Sequence, residues 1–237
     1  MALGDRGNTG GGGTDLAAFT LTWTLPSGGS APASGDLILL WAFFKSADRT
    51  LATPSGYSVV TGTPITGGGE GEAKAFYKTA AGSDANPTAA AGTGADGKYR
   101  WLVQVVSGTT PEIVDSDATE TTDYSTAPTM PTSAAGGNTV WSIVFMGCGI
   151  DNSETPGWPA GWTEIRVEHA GVFQNRNFIA HNTSPGTGSV GGGGISLTSG
   201  QGQEKVLQVL VKEGGAAAGV AKRSTIINQA VNRAANW

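Results

Sequence analysis

The chain has 237 residues, 14 Lys and Arg against 19 Asp and Glu, and one cysteine. Its net charge of −5 argues against the basic face of a nucleic-acid binder, and a lone Cys148 rules out an internal disulfide framework and a thiolate metal cluster. Glycine makes up about 16% (38 of 237), against a usual value of roughly 7%; together with 7 Trp and 7 Phe, this predicts many short strands joined by glycine-rich turns rather than disorder.

In chain order, residues 1–14 end in Thr9-Gly10-Gly11-Gly12-Gly13-Thr14, which predicts a flexible N-terminal arm with nothing to pack. No apolar run of signal-peptide length follows Met1, and no segment is long enough to cross a membrane. The expectation is a protein made in the cytoplasm that stays soluble there or leaves as part of something larger. Phe19–Leu25 alternates apolar residues with Thr, the pattern of a half-buried strand. Leu37–Phe44 is a run of eight apolar residues between Ser34-Gly35-Asp36 and Lys45-Ser46, short for a core helix and right for a strand covered on both faces. Pro54-Ser55-Gly56-Tyr57 is a turn before Tyr57–Thr61. Strands are predicted again at Lys74–Ala80 and Tyr99–Val106. Residues 107–136 read as a long acidic connection with one short edge strand at Ile113-Val114.

The pattern then repeats. Gly35 corresponds to Gly137, Pro54-Ser55-Gly56-Tyr57 to Pro159-Ala160-Gly161-Trp162, Phe76 to Phe178 and Gln104 to Gln208, at separations of 102 to 105 residues. Two such halves, about 15–110 and 117–213, each too small to hide both faces of a central strand, predict one sandwich over 15–213 rather than two domains. Short strands with long loops suit an all-β, jelly-roll-like fold with an internal duplication. Residues 214–237 change character: a Gly/Ala linker, then Ser224 as a cap and Ile227, Val231 and Ala234 on one face of a short helix. This segment holds Lys222, Arg223 and Arg233 and no acid. A helix this short needs a surface to lie on, so Ile226, Ile227, Val231, Arg233 and Trp237 are candidate partner-binding residues.

Signatures of chemistry are weak. Gly92-Thr93-Gly94-Ala95-Asp96-Gly97-Lys98 imitates a phosphate loop, but such a loop must open a helix, and a strand follows here. His169 and His181 are not spaced as a helical ligand pair. Asp115, Asp117, Glu120 and Asp123 could hold Ca²⁺ from a loop, yet without EF-hand spacing, and a solvated acidic loop is the plainer reading. Cys148 ends an apolar run and reads as a buried, inert thiol. No nucleophile elbow is present, and no pair of carboxylates stands out for glycoside cleavage. Trp158 and Trp162, around Pro159-Ala160-Gly161, are a candidate sugar-stacking platform, with packing in a core or turn as the commoner use. No cofactor is implied.

The glycine-rich start, the alternating strand, Gly35-Asp36-Leu37-Ile38-Leu39-Leu40, Pro54-Ser55-Gly56-Tyr57 and Phe76-Tyr77-Lys78-Thr79-Ala80 together resemble a β-sandwich module of tailed-bacteriophage virion proteins, over about residues 14–212. The resemblance implies a structural, non-enzymatic role in the virion: a capsid decoration protein, homo-oligomeric, bound to capsid proteins and to neither nucleic acid nor membrane. A carbohydrate- or receptor-binding module of a phage fibre or tail is the alternative.

Overall fold

A computed structural model describes residues 2–46, 49–66, 70–121, 127–149, 155–169, 176–197 and 204–214. Among them the chain is all-β, with one 3-10 turn at Gly28–Ser30. The strands are β1 Gly4–Thr14, β2 Phe19–Thr22, β3 Leu37–Ser46, β4 Ser58–Val59, β5 Ile65–Thr66, β6 Glu70–Thr79, β7 Thr88–Ala91, β8 Lys98–Ser107 and β9 Pro111–Glu120. They continue with β10 Thr132–Ala134, β11 Trp141–Cys148, β12 Pro156–Gly157, β13 Thr163–His169, β14 Arg176–Asn182, β15 Ser189–Gly191, β16 Ser196–Leu197 and β17 Lys205–Glu213.

Two broad antiparallel sheets dominate. The first runs β1-β8-β3-β6-β4, with β5 also on β6, and the second runs β13-β14-β11-β17-β9. They lie face to face, with β14 against β8, β13 against β1, β17 against β6 and β9 against β5. Two-stranded ribbons, β2–β7, β10–β15 and β12–β16, complete the fold.

The apolar run at Leu37 is the strand covered on both faces that its composition predicts. Successive side chains point to opposite faces. Leu37, Leu39, Trp41 and Phe43 enter the core between the sheets with Ile143, Phe145, Leu207 and Val209, and Trp41 stacks on Phe145 with ring centroids 5.8 Å apart. Ile38, Leu40, Ala42 and Phe44 point the other way, under Leu21 and Ala89 from the β2–β7 ribbon and Trp23 just after β2. The second sheet is built alike: Val144, Met146, Phe178 and Val206 leave its outer face and meet Met130 and Ile195. Cys148 is buried in this outer cluster.

Two expectations are corrected. Residues 1–14 are not a flexible arm, because β1 pairs with β8 from Gly4↔Ser107 to Thr14↔Lys98. Its glycines are what permits this: a Cβ on Gly11 would lie 2.7 Å from the Trp101 ring, one on Gly13 2.7 Å from the Tyr99 hydroxyl, and one on Gly12 on the Arg100 guanidinium. Side chains of β8 cover Gly11–Gly13, which have none of their own. Nor are residues 107–136 one long connection, since β9 is a ten-residue edge strand paired with β17. Asp115, Asp117 and Glu120 therefore stand on a strand rather than in a calcium-binding loop. The proposed helix over 224–234 lies outside the described residues.

Candidate functional site

Among the described residues, the side chains singled out in the sequence are not gathered in one place. Trp158 and Trp162 are half-buried and pack against the outer cluster of the second sheet. The Trp158 indole N–H donates to Glu164 Oε2 at 3.0 Å, and the Trp162 amide closes the turn onto Pro159 O at 3.1 Å. Their rings are engaged in packing, the commoner of the two uses read from sequence. His169 and His181 stand at opposite ends of the β13–β14 hairpin, opposite Arg176 and Thr163 respectively, and His181 meets the edge of Trp141 at 5.6 Å. Gly97-Lys98 leads into β8 and not into a helix. Ile226, Ile227, Val231, Arg233 and Trp237 lie outside the described residues, as does Asp123.

The acidic groups serve the backbone. Asp115 Oδ1 accepts from the Ser116 amide at 2.9 Å and Oδ2 from the Ala134 amide at 2.7 Å, tying edge strand β9 to β10. Asp117 accepts from the Ala118 amide at 2.8 Å, and Glu120 pairs with the buried Lys205 at 2.8 Å. A charged, inwardly tied edge is a recognised guard against pairing with other chains. Asp36, fully buried, takes the Ala33 amide at 2.8 Å and Arg6 from β1. Burial would raise the Asp84 pKa, but Lys78 and the amides of Ala81 and Gly82 outweigh it and hold the carboxyl below its ordinary value. At the seam between β1 and β13, Arg166 joins Glu168 and reaches Asn8 Oδ1 at 3.3 Å. Burial lowers the Arg100 pKa nearby, against the pull of Glu168.

Sequence reasoning did not find a concavity lined largely by apolar residues. Ala2, Leu3, Thr139, Val140, Trp141, Thr183 and Glu213 surround a cleft of about 300 Å³. It opens where the start of the chain, the entry to β11 and the end of β17 converge. The only local signal was Leu3, an apolar residue inside a segment read as having nothing to pack; the convergence itself is a matter of topology. A polar cleft of about 210 Å³ lies between Thr61, Tyr77 and the β9 residues Ile113–Ser116. No protein family, no curated protein and no solved structure matches this chain.

Proposed function

We propose that the protein is a non-catalytic structural component of a virion, a capsid decoration protein of the tailed-bacteriophage type. On this reading it is two jelly-roll halves in tandem that attach to a shell through the C-terminal segment. The observation that carries the structural role is the stacking of two broad sheets into one block, with Asp115 and Glu120 tying its edge strand β9 to neighbouring strands. Such a block displays surfaces and holds neighbours. Copies bound only to the assembled shell favour the assembled state by mass action.

Support for the tandem comes from the pairings. β1 pairs with β8, β2 with β7 and β3 with β6, a nested hairpin, which is how a jelly roll is wound. β9 pairs with β17, β10 with β15 and β11 with β14 in the same way. Read from β1 and from β9, the two sheets have the same strand order. Even a register shift is shared: it falls at Asp5/Gly7 on β1, opposite Val105 and Val106, and at Leu210/Val211 on β17, opposite Asp115 and Ile113. Bulges are specific features of a pairing rather than defects, so a bulge at the same step of both first strands favours common descent of the halves. The second half then begins at Pro111, earlier than its sequence suggests.

The test is co-sedimentation with assembled shells of the phage that encodes the chain. The full chain is expected to pellet with shells at saturating stoichiometry. A chain lacking residues 216–237 is expected to keep its strand circular-dichroism signature and stay in the supernatant. Pelleting of the truncated chain would remove the tail from the proposal. A full chain that ignores shells but shifts its tryptophan emission with a polysaccharide would replace it with the fibre-module reading.

A further inference from the structure

We propose that the fold accepts a second copy of its own chain by exchange of halves. The strands β1–β8 of one copy close on β9–β17 of the other, and the Glu213 carboxylate is the latch that otherwise keeps both halves in one chain. This exchange rests on the strand pairings and goes beyond the shell-binding reading.

Three observations support it. The first is where the backbone pairs. Among the described residues, every ladder joins strands of the same half, and the isolated bridges Leu51↔Ala91 and Thr129↔Gly194 do so too. The halves meet chiefly through side chains. Trp41 stacks on Phe145, Phe43 fills the place left by Gly147, and the Ser116 hydroxyl donates to Thr61 O at 3.0 Å. A half on its own keeps its ladders but leaves one broad apolar face uncovered. A second copy carries the matching face unchanged, so the closed and exchanged forms share one interface.

The second is the connection. Only Gly108-Thr109-Thr110 joins Ser107 to Pro111. Those four Cα steps reach at most about 14 Å, against about 10 Å between stacked sheets. The chain can close on itself, but with little slack. Without Thr109 and Thr110 the reach falls to about 7 Å, and a chain so shortened completes its core only with another copy.

The third is the latch. The Glu213 carboxylate accepts from the amides of Thr109 at 2.9 Å and Thr110 at 3.3 Å, and a Cβ on Gly108 would lie 2.8 Å from Glu213 Oε1. Successive amides of an extended strand point to opposite sides, so two on one carboxylate mark a bend. Exchange straightens the connection and takes at least one of these amides away from Glu213.

Refolding from urea tests this on the full chain, read by size-exclusion chromatography with light scattering. A tether this short holds the halves at an effective concentration on the order of millimolar. Refolding at low micromolar protein is expected to return monomer. Refolding near millimolar is expected to return a dimer that persists on dilution, because exchange back requires the core to open. Glu213→Ala should raise the dimer-to-monomer ratio about fivefold, the effect of roughly one net hydrogen bond. Phe43→Cys with Gly147→Cys, in a Cys148→Ser background, identifies the dimer. The Phe43 Cβ lies 2.9 Å from a Cβ built at position 147, near the roughly 3.8 Å of a disulfide. Oxidation should therefore link one chain to itself in the monomer and two chains in the exchanged dimer. The chain lacking Thr109 and Thr110 is expected to be dimeric at every concentration, and if it aggregates, the parent and the cysteine pair still decide. A folded monomer of the shortened chain would overturn the proposal, as would a parent that stays monomeric at every refolding concentration. Dimers whose cysteines close within one chain would also overturn it, assigning the contact to the outer surface.

Discussion

Gly147 shows how one atom decides the packing of this core. It sits on β11 with Phe43 directly over it: a Cβ added there would meet the Phe43 ring at 2.6 Å and its Cβ at 2.9 Å. Close-packed interiors do not absorb such an addition. Gly147→Leu is expected to cost about 3 kcal/mol, the upper part of the range for overpacked cores, read as a lower urea midpoint. Adding Phe43→Ala to the same chain should recover part of that loss, because the two side chains then share the space. Equal stability of Gly147→Leu and the parent would mean that the sheets are not in contact here. In the sequence, Gly147 is one residue of the apolar run Phe145-Met146-Gly147-Cys148, and nothing local marks it as the seat of a phenylalanine about a hundred residues upstream.

Among the elements, β1 carries the clearest lesson. Four consecutive glycines have low strand propensity and read as a tether. They form a strand because β8 supplies both the hydrogen-bonding edge and the side chains, Trp101, Arg100 and Tyr99, that lie across it. Removing residues 2–14 therefore strips a sheet edge rather than an idle arm. With about 1 kcal/mol for each of several ladder hydrogen bonds, the deletion is expected to cost on the order of 5 kcal/mol and to leave β8 open to aggregation. Thermal unfolding and light scattering check it, and an unchanged melting temperature would restore the flexible-arm reading. β9 is the counterpart case. Its acids read as a solvated connection, but Asp115, Asp117 and Glu120 belong to an edge strand, where charged side chains are tolerated and even protective.

At the scale of the molecule, the tandem reading makes the inter-sheet core an internal version of a two-fold interface. On the pairings, Phe43 and Gly147 occupy corresponding places, opposite Arg100 and Lys205, and they meet each other across the core. Two first halves would set Phe43 against Phe43, and two second halves would leave a void at Gly147. The halves are complementary only as an unlike pair. Cutting the Ser107–Pro111 connection and co-expressing residues 1–109 with 110–237 is therefore expected to give a soluble one-to-one complex, while either fragment alone aggregates. Size-exclusion chromatography with light scattering reads the outcome, and a stable monomer of either fragment would count against a shared core.

What the sequence determined by itself is what depends on near neighbours along the chain. Apolar runs bounded by turn residues located β3, β6 and β8, and the eight-residue run announced a strand buried on both faces. Only the tertiary structure decided how strands slide past one another. Gln104 and Gln208 look equivalent in sequence, but Gln104 shares a face with Leu102 and Val106 toward the inter-sheet core, whereas Leu207 and Val209 hold that face on β17 and Gln208 turns outward to bond Ser142 at 2.9 Å. A shift of one residue reverses every side chain of a strand, and that shift is set by the partner strand. The same holds for the glycine strand and the acidic edge, whose stability comes from side chains and hydrogen-bonding groups contributed by strands far away in the sequence.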